Sequence, residues 1–271
     1  MKSLKHPRKT KSATSTAPLL ICTDFDGTLA EEERRPIAPA FFDWLENTRK
    51  KRRVTWVINT GRQWEDLAEA LHNRNAPQWP DWAILVERSI YRVRSKKAVS
   101  FKKWNDRCEK THRKLFRQTR PLFAKMRAEL SLMKGIFIDE EDLGSPWRVI
   151  TDSEKIGDRV SKLIERHLPA EPLLIAMRNS YFFRFAHRDF HKGSCLTALC
   201  SRIGIGAEHC FAAGDHYNDL PMLRRKHARH LACPSNAVAA VKRQLVAQRG
   251  YIARKPVAFG VVEALEHFFP A

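Results

Sequence analysis

The sequence predicts an α/β fold: a doubly wound, mostly parallel sheet into which an α+β cap is inserted. Three observations lead there. Short apolar runs alternate with stretches of helical periodicity, the pattern of strand–helix–strand crossovers. Acidic clusters follow directly on two of the apolar runs, and ligands of an open α/β sheet bind at the carboxyl ends of its strands. The alternation changes character after Glu87 and resumes after Lys192. With 271 residues, the chain is long enough for one domain and a sizeable insertion.

Taken in order, Leu19 to Thr23 reads as a buried strand. Phe41, Trp44, Leu45 and Thr48 then share one helical face. Val54 to Ile58 is the next strand, Trp64, Leu67 and Leu71 mark a helix, and Ala83 to Val86 is a third strand. From Arg92 to Glu129 there are 14 Lys/Arg against 3 Asp/Glu, more than half of the excess charge of the chain. Trp104, Cys108, Thr111 and Leu115 keep helical spacing through this stretch, which predicts a basic amphipathic helix. Strand-like runs follow at Gly135 to Ile138 and Trp147 to Thr151. After a helix carrying Val160, Leu163 and Ile164 come two more, at Leu173 to Met177 and Tyr181 to Phe185. Leu196, Leu199 and Ile203 make a helix that Gly204 can end. Cys210 to Ala213, His230 to Cys233 and Tyr251 to Ala253 complete the strands. The expected organisation is a basic tail at 1–17, a core of 18–86 and 188–271, and a cap at 87–187.

Composition narrows the function. Hydrophobic residues make up 43% of the chain, enough for a real core. No apolar run reaches the roughly 18 residues of a membrane span. The six cysteines include no CxxC pair and read as reduced thiols, so a cytoplasmic protein is expected. The net charge of +19 favours anionic partners. There is neither a GxxxxGK[ST] loop nor a GxGxxG.

The chemistry concentrates at the strand ends. Asp24-Phe25-Asp26-Gly27-Thr28-Leu29 follows the first strand, with two carboxylates spaced to point into one crevice and a glycine for the turn between. Asn59-Thr60-Gly61-Arg62 closes the second strand, placing a hydroxyl and loop amides beside them. Lys192-Gly193 opens the helix that resumes the core. Gly214-Asp215-His216-Tyr217-Asn218-Asp219 follows a later strand. Each alone is compatible with an ordinary turn or cap. Together, Asp24, Asp26 and Asp215 suit a hard cation such as Mg2+, and no Cys/His spacing suits zinc.

These four stretches resemble, in order, the motifs of the haloacid dehalogenase superfamily of phosphohydrolases: DFDGTL (24–29), INTGR (58–62), HKG (191–193) and GDHYND (214–219). The long insertion between the second and third looks like a type-two cap. SIYRVRSKKAVSFKKWND, MRNSYFFRFAHRDFHKG, PSNAVAAVKRQL with Asn236, and FGVVEAL are similar to segments of the sucrose-phosphatase-like branch. The family's Gly-rich entry to the cap is replaced here by Glu87-Arg88-Ser89, and basic residues stand at Arg184 and His187. The last motif lacks the GGND of phosphomannomutases, which disfavours mutase activity.

The resemblance implies a Rossmann-like core and a Mg2+-dependent phosphatase acting on a small phosphorylated metabolite, on cap resemblance a sugar phosphate. It assigns Asp24 as the nucleophile that forms an aspartyl-phosphate and Asp26 as general acid and base. It has the Asp24 carboxylate, the Asp26 backbone carbonyl and Asp215 hold Mg2+, while Thr60, Gly61, Lys192 and Asn218 hold phosphoryl oxygens. Asp219 is expected one layer out, orienting Lys192 or the waters on the metal. Arg178 and Arg184 could face the leaving group or lie on a solvated strand face. The alternative function is association with nucleic acid, because Arg92 to Arg127 interleaves Trp, Phe and basic residues as a single-strand groove can.

Overall fold

The computed structural model describes residues 17–31, 35–140 and 145–270. The expected basic tail therefore lies outside the described residues, apart from Ala17. In chain order the first half contains β1 (Leu19–Thr23), α1 (Pro39–Arg49), β2 (Val54–Asn59), α2 (Trp64–Asn73), β3 (Trp82–Leu85), β4 (Ser89–Arg94), β5 (Lys97–Ser100), α3 (Lys102–Gln118) and α4 (Arg120–Leu130). Then come β6 (Ile136–Asp139), β7 (Arg148–Thr151), α5 (Glu154–His167), β8 (Leu174–Asn179) and β9 (Phe182–His187). The chain closes with α6 (Lys192–Ile203), β10 (Cys210–Ala213), β11 (His230–Cys233), α7 (Ala239–Ala247), β12 (Tyr251–Ile252) and α8 (Val257–Phe268).

The central sheet runs β12-β11-β10-β1-β2-β3-β4-β5. The strands from β12 to β3 are parallel, and β4 and β5 add an antiparallel hairpin at one edge. Alternation along each strand feeds two apolar layers. Leu19, Ile21, Trp56 and Phe211 pack with Phe41, Leu45, Leu67 and Leu265 from α1, α2 and α8. Leu20, Cys22, Val57 and Cys210 pack on the other face with Leu196, Leu199, Val241 and Leu245 from α6 and α7. This is the doubly wound, three-layer sheet the sequence predicts.

A second, antiparallel sheet has the order β6-β7-β9-β8. One face is covered by α3, α4 and α5 through Leu115, Phe123, Met126, Val160 and Ile164, packed on Val149, Phe183 and Phe185. The expected cap range 87–187 thus starts inside the central sheet: β4 pairs with β3 and β5 with β4, and the separate sheet begins only at Ile136.

The basic stretch also departs from a single helix. It passes through β5 and then breaks at Thr119 into α3 and α4, with Pro121 in the first turn of α4, where its missing N–H costs nothing. Along α3 the buried residues are Trp104, Cys108, His112, Leu115 and Phe116; Thr111 is only half-buried. Trp104 gives its indole N–H to the Arg88 carbonyl at 2.8 Å, and Phe116 and Phe123 stack edge-on at 5.8 Å. These aromatics are spent in the core, so they offer no exposed stacking platform for a single strand of nucleic acid. Among the described residues no helix is long and apolar enough to cross a membrane.

Candidate active site

Three adjacent strands end at one level. Thr23 of β1 stands in register with Ile58 of β2 and Ala213 of β10, so the residues that follow meet at one crevice. Asp24 follows β1 and is fixed by its N–H to the Ala213 carbonyl at 2.9 Å. Thr60 follows β2 and Asp215 follows β10. Lys192 is the first residue of α6, and Asn59 binds its carbonyl at 3.1 Å, tying the start of the helix to the end of β2. His191 and Ser194 cap that helix reciprocally, which fixes the position of Lys192 at its start.

The centre is a buried ionic cluster. The Lys192 ammonium lies 2.9 Å from Asp24 Oδ1 and 2.7 Å from Asp219 Oδ1, with no solvent exposure of its own. The other oxygen of Asp219 accepts the N–H groups of Asp215 (2.9 Å) and His216 (3.0 Å). Burial opposes the charge on Lys192, but Asp219, Asp24 and Glu87 outweigh it and hold the ammonium well above its ordinary range. Asp24 is pushed well above the carboxylate range, by burial first and by Asp219 next, against the pull of Lys192. Asp215 is pushed up to about 7, again by burial first and Asp219 next.

Thr28 donates to Asp215 Oδ1 at 2.7 Å. Gly27 has φ +74°, and a Cβ there would stand 2.3 Å from Asp215 Oδ2, so any side chain at this turn is strained and displaces Asp215. Asn236 holds the same turn by donating to the Gly27 carbonyl at 2.7 Å.

Asp24, Asp215 and Asp219 each bring an oxygen within 4.8 Å of the others. The donor set is entirely oxygen, and it carries more negative charge than Lys192 balances, which fits a hard cation such as Mg2+. The Asp26 carboxylate is not part of this group. Both of its oxygens are held by Arg62, from Nε and Nη2, at 2.7 Å each. Its expected contribution to a metal was its backbone carbonyl, which this pairing leaves untouched.

Of the expected phosphate-binding residues, Asn218 and Gly61 both lie against Glu87. Thr60 accepts the Arg62 N–H on its hydroxyl at 3.2 Å. Asn218 is buried in a short 3-10 turn (Tyr217–Asp219) after Asp215. Gly61 faces Glu87, whose Oε1 would lie 3.4 Å from a Cβ at that position.

Several residues here had no assigned role from sequence. Glu87 is buried and accepts the Asn218 side-chain N–H at 2.7 Å; its only sequence signal was its place where similar proteins carry glycine. Arg62 was visible as part of INTGR, but its partner was not. Arg184, on β9, reaches across to the Gly61 carbonyl, so it lies neither on a solvated face nor free in the cleft. Arg178 instead braces the cap, bonding Asp158 and the Ser180 carbonyl, with its guanidinium 5.2 Å from the centre of the Tyr217 ring. His216 accepts the Ser180 N–H at 3.1 Å and lies 3.6 Å from Glu154, joining the last motif to the cap; burial holds its imidazole below the ordinary range.

The sequence profile of the family described as sucrose-6F-phosphate phosphohydrolase matches residues 17–269. No curated protein sequence matches the chain significantly. Among solved structures, the sucrose-phosphatase of Synechocystis sp. PCC6803, in complex with sucrose and phosphate, superposes with a TM-score of 0.71 at 17% identity, over 92% of this chain and 97% of that one. The haloacid dehalogenase subclass IIB sugar phosphatase BT4131 gives 0.63 at 18% identity, over 92% and 98%. The phosphatase BT1666 from Bacteroides thetaiotaomicron gives 0.63 at 19% identity, over 94% and 96%. At these identities the likeness is one of fold.

Proposed function

The chain belongs to the sucrose-6F-phosphate phosphohydrolase family, a branch of the haloacid dehalogenase phosphatases, and from that premise we propose that it hydrolyses a sugar phosphate with Mg2+ through an aspartyl-phosphate. The observation that carries this is the Lys192 ammonium held between the carboxylates of Asp24 and Asp219 at the ends of three parallel strands. Phosphoryl transfer asks a protein mainly for positioning and charge stabilisation, and this crevice supplies both.

Asp24 attacks phosphorus, and the bond to the leaving oxygen breaks as the aspartyl-phosphate forms. Asp26 turns from Arg62, takes a proton from solvent and gives it to the leaving alkoxide, then takes a proton from the water whose oxygen attacks phosphorus and frees the Asp24 carboxylate. Inorganic phosphate leaves and both aspartates return to their starting state. Lys192, Asn218, the Thr60 hydroxyl and the Gly61 amide hold the phosphoryl oxygens. The Asp24 carboxylate, the Asp26 carbonyl and Asp215 would hold Mg2+, which would offset the repulsion between carboxylate and phosphate dianion. Asp219 acts through Lys192 and the backbone of Asp215. A sugar leaving group is supported by the family and by the sucrose and phosphate bound in the Synechocystis relative.

The test is phosphate release from a panel of sugar phosphates, nucleotides and p-nitrophenyl phosphate. Each is run with Mg2+, with EDTA and with Asp24→Asn. Release that needs Mg2+ and vanishes in the variant is expected. Undiminished release from Asp24→Asn would remove the proposed nucleophile, and preference for a nucleotide would remove the sugar.

A further inference from the structure

Glu87 brings a fourth carboxylate to a pocket whose proposed task is to bind an anion. It is buried, and its Oε1 takes a side-chain N–H of Asn218 at 2.7 Å. The same oxygen lies against Gly61, and the carboxylate acts electrostatically on Lys192. Its own N–H donates to the Thr60 carbonyl at 3.0 Å. Glu87 therefore borders Asn218, Gly61 and Thr60, and its charge acts on Lys192.

The backbone pays to put it there. Val86 and Glu87 are consecutive residues with φ +46° and +65°, the left-handed region that side chains, β-branched ones above all, adopt at a cost. The turn is held to the neighbouring loop by the Val86 N–H on the Arg62 carbonyl at 3.1 Å. Glycine would relieve Glu87 of that cost, so the strain is kept together with a carboxylate directed at Asn218.

We propose that Glu87 is a specificity-determining residue: its carboxylate competes with the phosphoryl group for Asn218 and Lys192, so phosphate by itself binds weakly. A substrate whose leaving group makes additional contacts outcompetes Glu87, and inorganic phosphate is displaced once the bond is broken. The inference rests on the phosphatase reading, since it takes Asn218 and Lys192 as phosphate donors.

Two variants test it. Glu87→Gln keeps the shape and removes the charge. Glu87→Gly removes the side chain at a position whose φ suits glycine, so its fold is expected to persist. Inorganic phosphate binding is measured by calorimetry in Mg2+ and by competitive inhibition of p-nitrophenyl phosphate hydrolysis, with wild type and Lys192→Ala alongside. Phosphate is expected to bind about tenfold tighter to Glu87→Gln, the effect of removing one like charge, and at least as tightly to Glu87→Gly. KM for p-nitrophenyl phosphate should fall by more than kcat changes. Tightening in Glu87→Gly alone places the competition in the hydrogen bond and still supports it. Unchanged or weaker phosphate binding in both variants overturns it, leaving Glu87 as a structural partner of Asn218. If wild type neither binds nor releases phosphate, the phosphatase reading falls and the inference with it; if wild type does both and the variants do not differ from it, only the inference falls.

Discussion

Arg184, on the cap strand β9, donates to the Gly61 carbonyl oxygen at 2.5 Å, joining two residues 123 positions apart across the mouth of the crevice. The bond puts the cap in direct contact with a loop that is proposed to hold phosphate. A charged donor in a partly buried bond contributes about 1.5–3 kcal/mol. Arg184→Ala should therefore loosen the cap: amide exchange is expected to rise along β9 and the 60–62 loop while the central strands keep their protection. Unchanged exchange at both places would show that the contact does not hold the cap.

Removing Lys192 leaves Asp24 and Asp219 buried without their shared cation. Breaking one side of a buried pair costs about 3–5 kcal/mol, chiefly from the charge left behind. Lys192→Ala is expected to lose stability of that order in urea at pH 8 without metal, and to lose turnover beyond the loss of folded protein. A variant as stable as wild type in urea would mean that the ion pairs of Lys192 do not hold the site together.

Gly27→Ala should be severe for a small change. The φ of +74° costs an alanine about 1–2 kcal/mol, and its Cβ would stand 2.3 Å from Asp215 Oδ2. Asp215 would have to move, breaking the bond from Thr28. At least a tenfold loss of Mg2+ affinity is expected, against a melting point lowered by several degrees. Wild-type affinity would show that Asp215 reaches the metal from another rotamer.

Stability should depend on Mg2+ and pH together. Burial first, then Asp219, pushes Asp215 up to about 7. A carboxyl raised in the folded state contributes stability fully present below its unfolded value of about 4, and that stability is lost as pH climbs toward 7. The metal requires the ionised form, so binding below pH 7 releases protons. The rise in melting point on adding Mg2+ is expected to be larger at pH 8 than at pH 5. Equal rises at the two values would show that Asp215 is ionised throughout.

Much of the parallel core was legible because its strands are uninterrupted apolar runs. Leu19–Thr23, Cys210–Ala213 and His230–Cys233 are bounded in the structure as in the sequence. The site motifs were legible for a related reason: each follows such a run, and strand ends of a parallel sheet share one edge. The hairpin of β4 and β5 was not. SIYRVR mixes apolar with charged residues because only part of this strand is buried, and that pattern does not say which sheet it joins. The break at Thr119 was hidden because the helical spacing runs up to it. The partners of Asp26 and Asn218 were hidden too. Arg62 and Glu87 reach them only through turns whose positions are set after the strands assemble.

The bond from Thr28 to Asp215 spans 187 positions of chain, and β1 lies between a strand that follows it closely and one made only after the cap. As the chain emerges during synthesis, Asp24 and Thr60 exist long before Lys192 and Asp219. Non-local contacts of this kind are slow to form, because the intervening chain must be ordered before they reward it. The Asp24 carboxylate is therefore made before its counterion Lys192, and the carboxylate cluster can assemble only in the last stage of folding. A chain stopped anywhere short of Asp219 would carry the first two motifs and have no cluster to put them in.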